Sequence, residues 1–457
     1  MTAAAMQAVL DLEAERGLWE QRVLGLPVWA LERFRRYRME TYGAGAGKSA
    51  QPSGRARIEA ELRSMQASTT DLRRGLPTSR GRDIWVLSSS SYRRRDGDTW
   101  TCIFADHLRQ QLGDRLLFLE WNTARLESLG RDDVLFLDAV QAPILAAAKA
   151  GATLTAKRLG DLSAFAPSTP ERMADRALYY RSLLELGRRW MDRAPPAAVF
   201  VLCGYNMHIP LQHAARERGI PVIELQHGVI HEGHAGYVLP TLPPAVEAGL
   251  PWPDHLVAFG RFWGESLEQE SPRWAGRWSV GGHPWLKKRV GGPKEREVVI
   301  FGQYEEHVQR QVRDVAAALP VQLPGWTVTI KPHPREFDAA TWYAPAIAAG
   351  ARLADPQDDS YAMLARCEAS VCAYSTVAIE ALAFGARSIV LESPNWSEAI
   401  ADLVARGKLE ACADDGVAAL LGAEAPGQAT AELARDLFGM GEPELDFAAL
   451  IADLTVR

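Results

Sequence analysis

The chain has 457 residues, of which 51 are Lys or Arg and 57 are Asp or Glu, for a formal net charge of −6. With 47% apolar and 24% charged residues it has an ordinary globular composition, which excludes a disordered or fibrous chain. The mild acidity argues against a dedicated nucleic-acid binder, and no run approaches the roughly 20 apolar residues that span a bilayer. Five scattered cysteines, Cys102, Cys203, Cys367, Cys372 and Cys412, fit reduced thiols better than a disulfide framework. The first residues are acidic and lack the apolar core of a secretory leader, so the expected location is the cytoplasm.

Residues 1–42 read as a helical segment, with Leu10, Val23, Leu26, Val28, Leu31 and Phe34 interleaved with charge. The stretch RFRRYR sets four arginines, from Arg33 to Arg38, beside Trp29, Phe34 and Tyr37. Two readings stand: a helix on an anionic membrane surface, or a helical face packed on a neighbouring domain. Residues 43–80 form a linker region that opens on Gly-, Ser- and Pro-rich text. Its GAGAGKS imitates a nucleotide-binding P-loop, but the glycine that motif requires falls on Tyr42 and no strand precedes it. An ATPase is therefore excluded.

From residue 83 the text alternates short apolar runs with amphipathic stretches. DIWVLSSS, RLLFLEW, DVLFLD, AAVFVLC, IPVIELQ and DHLVAFG predict buried strands of a largely parallel sheet. A second series, EVVIFG, WTVTIKP, ASVCAYS and RSIVLES, follows the Gly291-Gly292-Pro293 segment. Two βαβ series of similar size predict an α/β protein of two Rossmann-like domains, 81–290 and 291–425, facing one cleft, with further helices over 426–457.

Ligands of such sheets bind at strand carboxyl ends and helix N-termini, and several polar clusters fall there. Lys331 to Pro334 (KPHP) form a rigid cationic corner suited to a phosphate, with His333 as a hydrogen-bond or proton donor; a passive turn is the plain alternative. Ser375 and Thr376 open a helix and would form an anion site, or simply cap it. Glu380, one turn along that helix, is placed to hold two ribose hydroxyls. The loop from Glu224 to Tyr237 carries His227, His231, Glu232 and His234, but its glycines forbid the continuous helix a histidine metal site would need. It suits acceptor binding and acid–base or nucleophilic work instead. SSSSYRRRDGDTW reads as a polar loop whose Arg93, Arg94 and Arg95 grip anions, and Gln303 should face the cleft from FGQYEE. Asp96-Gly97-Asp98 has the letters of a metal clamp but sits beside those arginines, and no metal is expected.

Taken together, QHG at Gln226–Gly228, KPHP, and STVAIEAL from Ser375 resemble the GT-B glycosyltransferases of bacterial capsule and O-antigen synthesis, above all capsule-type β-Kdo transferases. Polysialyltransferases and CDP-glycerol polyol-phosphate transferases are more distantly similar. The resemblance implies metal-independent transfer of a sugar, Kdo favoured, from a CMP-activated donor to a growing surface polysaccharide or glycolipid. The donor would be a co-substrate, with no other cofactor. Residues 81–290 would take the acceptor and 291–425 the nucleotide. His333 and Pro334 would contact the donor phosphate with Lys331, Ser375 and Thr376, and Glu380 the ribose. Gln303 and Arg94 would complete the donor site, Arg94 within the arginine cluster that meets the sugar carboxylate. Glu232 would be the reacting carboxylate, with His227 beside it and Glu120 as the alternative; His283-Pro284 would be structural. A CDP-polyol phosphotransferase, a sugar-nucleotide epimerase and a non-catalytic assembly protein are the competing readings.

Overall fold

Short Val-, Ile-, Leu- and Phe-rich runs bounded by turn residues can bury both faces only as central strands of a covered sheet. The computed structural model describes residues 3–42, 62, 65–70, 72–73, 76–77 and 80–456, apart from 123, 125, 127–128, 130, 206, 290, 304, 334–335, 337, 394–397 and 424–426. Most of the expected linker, with GAGAGKS, therefore lies outside the described residues, as does Pro334.

The first sheet has seven parallel strands in the order β5-β4-β1-β6-β7-β8-β9. They are β1 (Ile84–Ser89), β4 (Leu116–Trp121), β5 (Val134–Phe136), β6 (Ala198–Val201), β7 (Val222–Leu225), β8 (His255–Ala258) and β9 (Trp278–Val280). The chain winds outward from β1 to β5, returns to the other side of β1, and winds outward again, so the order reverses between β1 and β6. The second sheet has six parallel strands, β12-β11-β10-β13-β14-β15, and reverses between β10 (Glu295–Phe301) and β13 (Cys367–Cys372). Its other members are β11 (Thr327–Lys331), β12 (Arg352–Leu353), β14 (Arg387–Leu391) and β15 (Glu410–Cys412). Two Rossmann-like α/β halves thus face each other across a cleft, the GT-B layout.

All ten expected strands form. The edge strands β9, β12 and β15 were not legible, because two or three half-buried residues paired on one side carry no run and no period. The expected polar loop after β1 is instead a hairpin, β2 (Arg93–Asp96) and β3 (Thr99–Cys102). Its two-residue turn has Gly97 at φ +60°, the left-handed first position that a type II′ turn reserves for glycine.

The N-terminal segment packs on the first half. Glu13 is buried and accepts from Trp19 Nε1 (3.1 Å), Trp29 Nε1 (2.9 Å) and Arg33 Nε (2.6 Å). Arg33 also donates to the Ala235 carbonyl, and buried Glu32 pairs with Arg172 and Arg176. The start of the Trp29–Tyr42 helix is thus packed on the first half, and Arg33 is spent inside the protein. At the other end, the Gly427–Phe438 helix returns to the first half, where Trp263 Nε1 donates to the Leu437 carbonyl at 2.7 Å. Among the described residues no helix is long and apolar enough to cross a membrane.

Candidate functional site

A cavity of about 780 Å³ opens between the halves at the carboxyl ends of the strands, where open α/β sheets bind ligands. The first half supplies Arg94 and Arg95 from the hairpin, His227 from the loop after β7, Phe259 after β8, and His283 and Arg289 beyond β9. The second half supplies Asp358 to Tyr361 at the start of the Ser360–Arg366 helix, and Thr376 and Glu380 at the start of the Val377–Ala383 helix.

Of the expected site residues, Thr376, Glu380, Arg94 and His227 meet here. Glu380 Oε1 accepts from the Tyr361 hydroxyl at 3.0 Å. Burial raises its carboxyl above the usual range, opposed by that bond and by the charge of Arg94 across the cleft. Arg94 is steadied by its own loop, donating to the carbonyls of Ser91 (2.8 Å) and Arg93 (2.9 Å). Arg289 stacks over Trp285, 3.3 Å from the ring centroid, and reaches Asp96 at 3.5 Å. Arg94, Arg95 and Arg289 and the acidic Glu380, Asp358 and Asp359 thus line the same cavity, with Arg94 acting on Glu380 across it.

The other expected residues are not among the described residues around the cavity. Lys331 is buried at the end of β11, and its ammonium is committed to the carbonyls of Pro356 (2.7 Å) and Pro332 (3.3 Å). It lies in register with Phe301, which lies in register with Cys372, so β10 holds β11 and β13 two strand spacings apart, about 10 Å. His333 belongs to the same corner. Its backbone N–H donates to Glu336 Oε1 at 2.6 Å, and Glu336 also accepts from Tyr343 (2.7 Å) and Gln309 (3.2 Å). The corner's rigidity thus comes from Glu336, which nothing in the local sequence marks. Ser375 caps its helix, Oγ accepting the Val377 N–H at 3.3 Å. Gln303 is buried at the end of β10.

Neither carboxylate expected to react, Glu232 or Glu120, is among the described residues lining the cavity. Glu232 accepts the Ala3 N–H at 3.2 Å and lies 4.0 Å from Arg406, tying the first helix to the second half. Glu120 is fully buried in β4 and takes both arms of a bidentate bond from Arg93, each 2.8 Å. That pair neutralises itself in the core, so Arg93 is no clamp for a ligand. Asp96 and Asp98 sit on either side of Gly97 at the hairpin turn, paired with Arg289 and Arg95. Among the described residues no three His, Cys, Asp or Glu side chains are grouped to hold a metal ion.

Sequence reasoning missed Tyr361, Arg289 and the wall-lining role of His283. His283 does cap the Pro284–Lys287 turn, Nδ1 accepting the Leu286 N–H at 3.4 Å, but its ring also packs on Phe259 (4.4 Å) at the cavity. Asp359 Oδ1 accepts the Tyr361 N–H at 2.9 Å, so the Asp-Ser pair was readable as a helix start; its facing the cleft was not. His227 is held from behind, Nε2 lying 3.2 Å from the Tyr205 hydroxyl and Nδ1 3.3 Å from that of Tyr237.

No family model matches the chain, and no curated protein matches it. Among solved structures, the chain is similar to CalG4, the calicheamicin glycosyltransferase, at 14% identity over 82% of this chain and 98% of that one, with a TM-score of 0.47. It is similar to Acinetobacter baumannii MurG at 13% identity over 82% and 100%, TM-score 0.45. It is similar to the UDP-GlcNAc 2-epimerase of Methanocaldococcus jannaschii at 10% over 82% and 99%, TM-score 0.45. Likenesses this distant bear on no residue's role.

Proposed function

We propose that the chain is a nucleotide-sugar-dependent glycosyltransferase whose donor occupies the cavity between the halves. The observation that carries the reading is the meeting, at the strand ends of both sheets, of a carboxylate wall (Glu380, with Tyr361) and a guanidinium wall (Arg94, Arg95, Arg289) around one cavity of about 780 Å³. In it, Glu380 holds the ribose hydroxyls and Thr376 sits beside the phosphate. The arginines meet the charge that develops on the leaving nucleotide, where preorganised donors act most strongly. The acceptor, a glycan or glycolipid, approaches along the His227 loop. The motif resemblance favours a CMP-activated donor, Kdo first, and a bacterial surface polysaccharide as product; a CDP-polyol donor would use the same nucleotide site.

A thermal-shift panel of CMP, CDP, UDP, GDP and ADP tests this. Ligand at 100 times its dissociation constant stabilises by about 2.7 kcal/mol. CMP is expected to stabilise most, and Glu380→Gln to remove most of that shift. Stronger stabilisation by UDP overturns the donor, and no response to any nucleotide overturns the transferase.

A further inference from the structure

Behind the cavity wall at His227 runs a chain of buried polar groups that ligand binding leaves unused. His234 Nδ1 accepts the Gly236 N–H at 3.1 Å. Burial holds His234 well below the ordinary histidine range, so the ring is neutral and its one proton sits on Nε2, 3.4 Å from the Tyr205 hydroxyl. The Tyr205 hydroxyl, which also meets the Cys203 thiol, is free to pass its own proton to His227 Nε2 at 3.2 Å. His227 is pushed down to about 4 by burial and is neutral as well. With Nε2 bare, its proton is on Nδ1, 3.3 Å from the Tyr237 hydroxyl. Tyr237 in turn is hydrogen-bonded to the Glu224 carboxylate, which also accepts the Gly204 N–H at 3.0 Å. The bond directions follow from the Gly236 N–H, which can only donate, and from Glu224 in its ionised form, which can only accept.

The chain is built, not incidental. A Cβ on Gly204 would lie 2.5 Å from Glu224 Oε2, and one on Gly236 would lie 2.3 Å from the Tyr205 ring, so only glycine admits either group. Glu224 is buried at the end of β7, and burial pushes its carboxyl up to about 7, opposed by the Gly204 N–H, Tyr237 and Arg273. Tyr205 and Tyr92 also face it, and Tyr92, Tyr205 and Tyr237 surround His227.

We propose that Glu224, through Tyr237 and His227, is the final acceptor of the proton released by the attacking hydroxyl. The inference rests on the transferase reading. Tyr205 yields its place, and the acceptor O–H loses its proton to His227 Nε2 as its oxygen bonds to the sugar carbon. The bond from that carbon to the nucleotide's phosphate oxygen breaks, and its electron pair leaves with the nucleotide. His227 Nδ1 passes its proton to Tyr237, and Tyr237 passes its own to Glu224. One proton leaves the hydroxyl and one arrives at a carboxylate, and every histidine and tyrosine ends neutral. His227 is the catalytic residue; Tyr237 and Glu224 act through it.

The test uses the full chain labelled with ¹⁵N-histidine, the His227 signals being those lost in His227→Gln. The expected tautomer is Nδ1–H with Nε2 bare. Tyr237→Phe should flip it, and Glu224→Gln, whose amide oxygen still accepts, should keep it. A protonated Nε2 in the wild type, or a tautomer indifferent to Tyr237→Phe, overturns the relay. In Glu224→Gln, release of CMP from a CMP-activated donor with water as acceptor should fall about 100-fold, the scale of general-base catalysis. The wild-type rise of that rate with pH should vanish as well, with stabilisation by CMP retained. Wild-type turnover in Glu224→Gln overturns the relay too. If no nucleotide binds, the transferase reading fails while the tautomer measurement stands.

Discussion

Arg93 and Arg94 are chain neighbours on a strand, so their side chains leave opposite faces. One enters the core as the partner of Glu120, the other enters the cavity. Arg93→Ala is expected to destabilise the fold by about 3–5 kcal/mol, because it leaves a fully buried carboxylate unpaired. Arg94→Ala should change stability by no more than about 0.5 kcal/mol while weakening the nucleotide-induced thermal shift. Urea titrations of both variants, with and without CMP, separate the two roles. The sequence suggested that the three arginines act together on an anion; their division of labour was not legible, because Glu120 reaches Arg93 from another strand. The same holds for Glu224 and Glu232, eight residues apart. One sits behind the cavity wall and the other binds the Ala3 N–H beside Arg406.

At the scale of elements, strands and their carboxyl ends were read correctly because a buried strand needs a continuous apolar run whatever surrounds it. The KPHP corner was also legible as rigid, yet its rigidity serves the loop around Pro356 and Glu336 more than any ligand seen from the cavity. Close packing inside the loop after β7 leads to a local test. Gly236→Ala would press a methyl into the Tyr205 ring and should cost about 1–3 kcal/mol, as overpacking does. Gly228, in the same loop, has open space where a Cβ would go, so Gly228→Ala should stay within about 0.5 kcal/mol. Thermal unfolding of the two variants side by side checks the contrast.

At the scale of the molecule, desolvation holds six of the described histidines neutral. Burial lowers His107, His213 and His227 to about 4 and His208 and His283 to about 3, and drives His234 well down. The unfolded chain binds these protons near pH 6.5 and the folded chain only far lower, so stability present above pH 6.5 drains away as the pH falls towards 4. Glu224, raised to about 7, acts oppositely between its ordinary value of 4.5 and 7, favouring the fold on the acid side. Six groups outweigh one. The urea midpoint is therefore expected to be clearly lower at pH 5 than at pH 7.5, and an unchanged midpoint would show that these rings are hydrated.

Local sequence determined the two parallel sheets, the strand ends that face the cleft, and the helix start bearing Thr376 and Glu380. Each follows from patterning within one or two elements. Tertiary structure alone decided which side chains enter the cavity. Lys331 ends one strand and Thr376 follows another, but Lys331 finds the Pro356 carbonyl, 25 residues on, whereas Thr376 lines the cavity. The partner of a buried charge comes from wherever the chain returns, and no window of sequence contains that return.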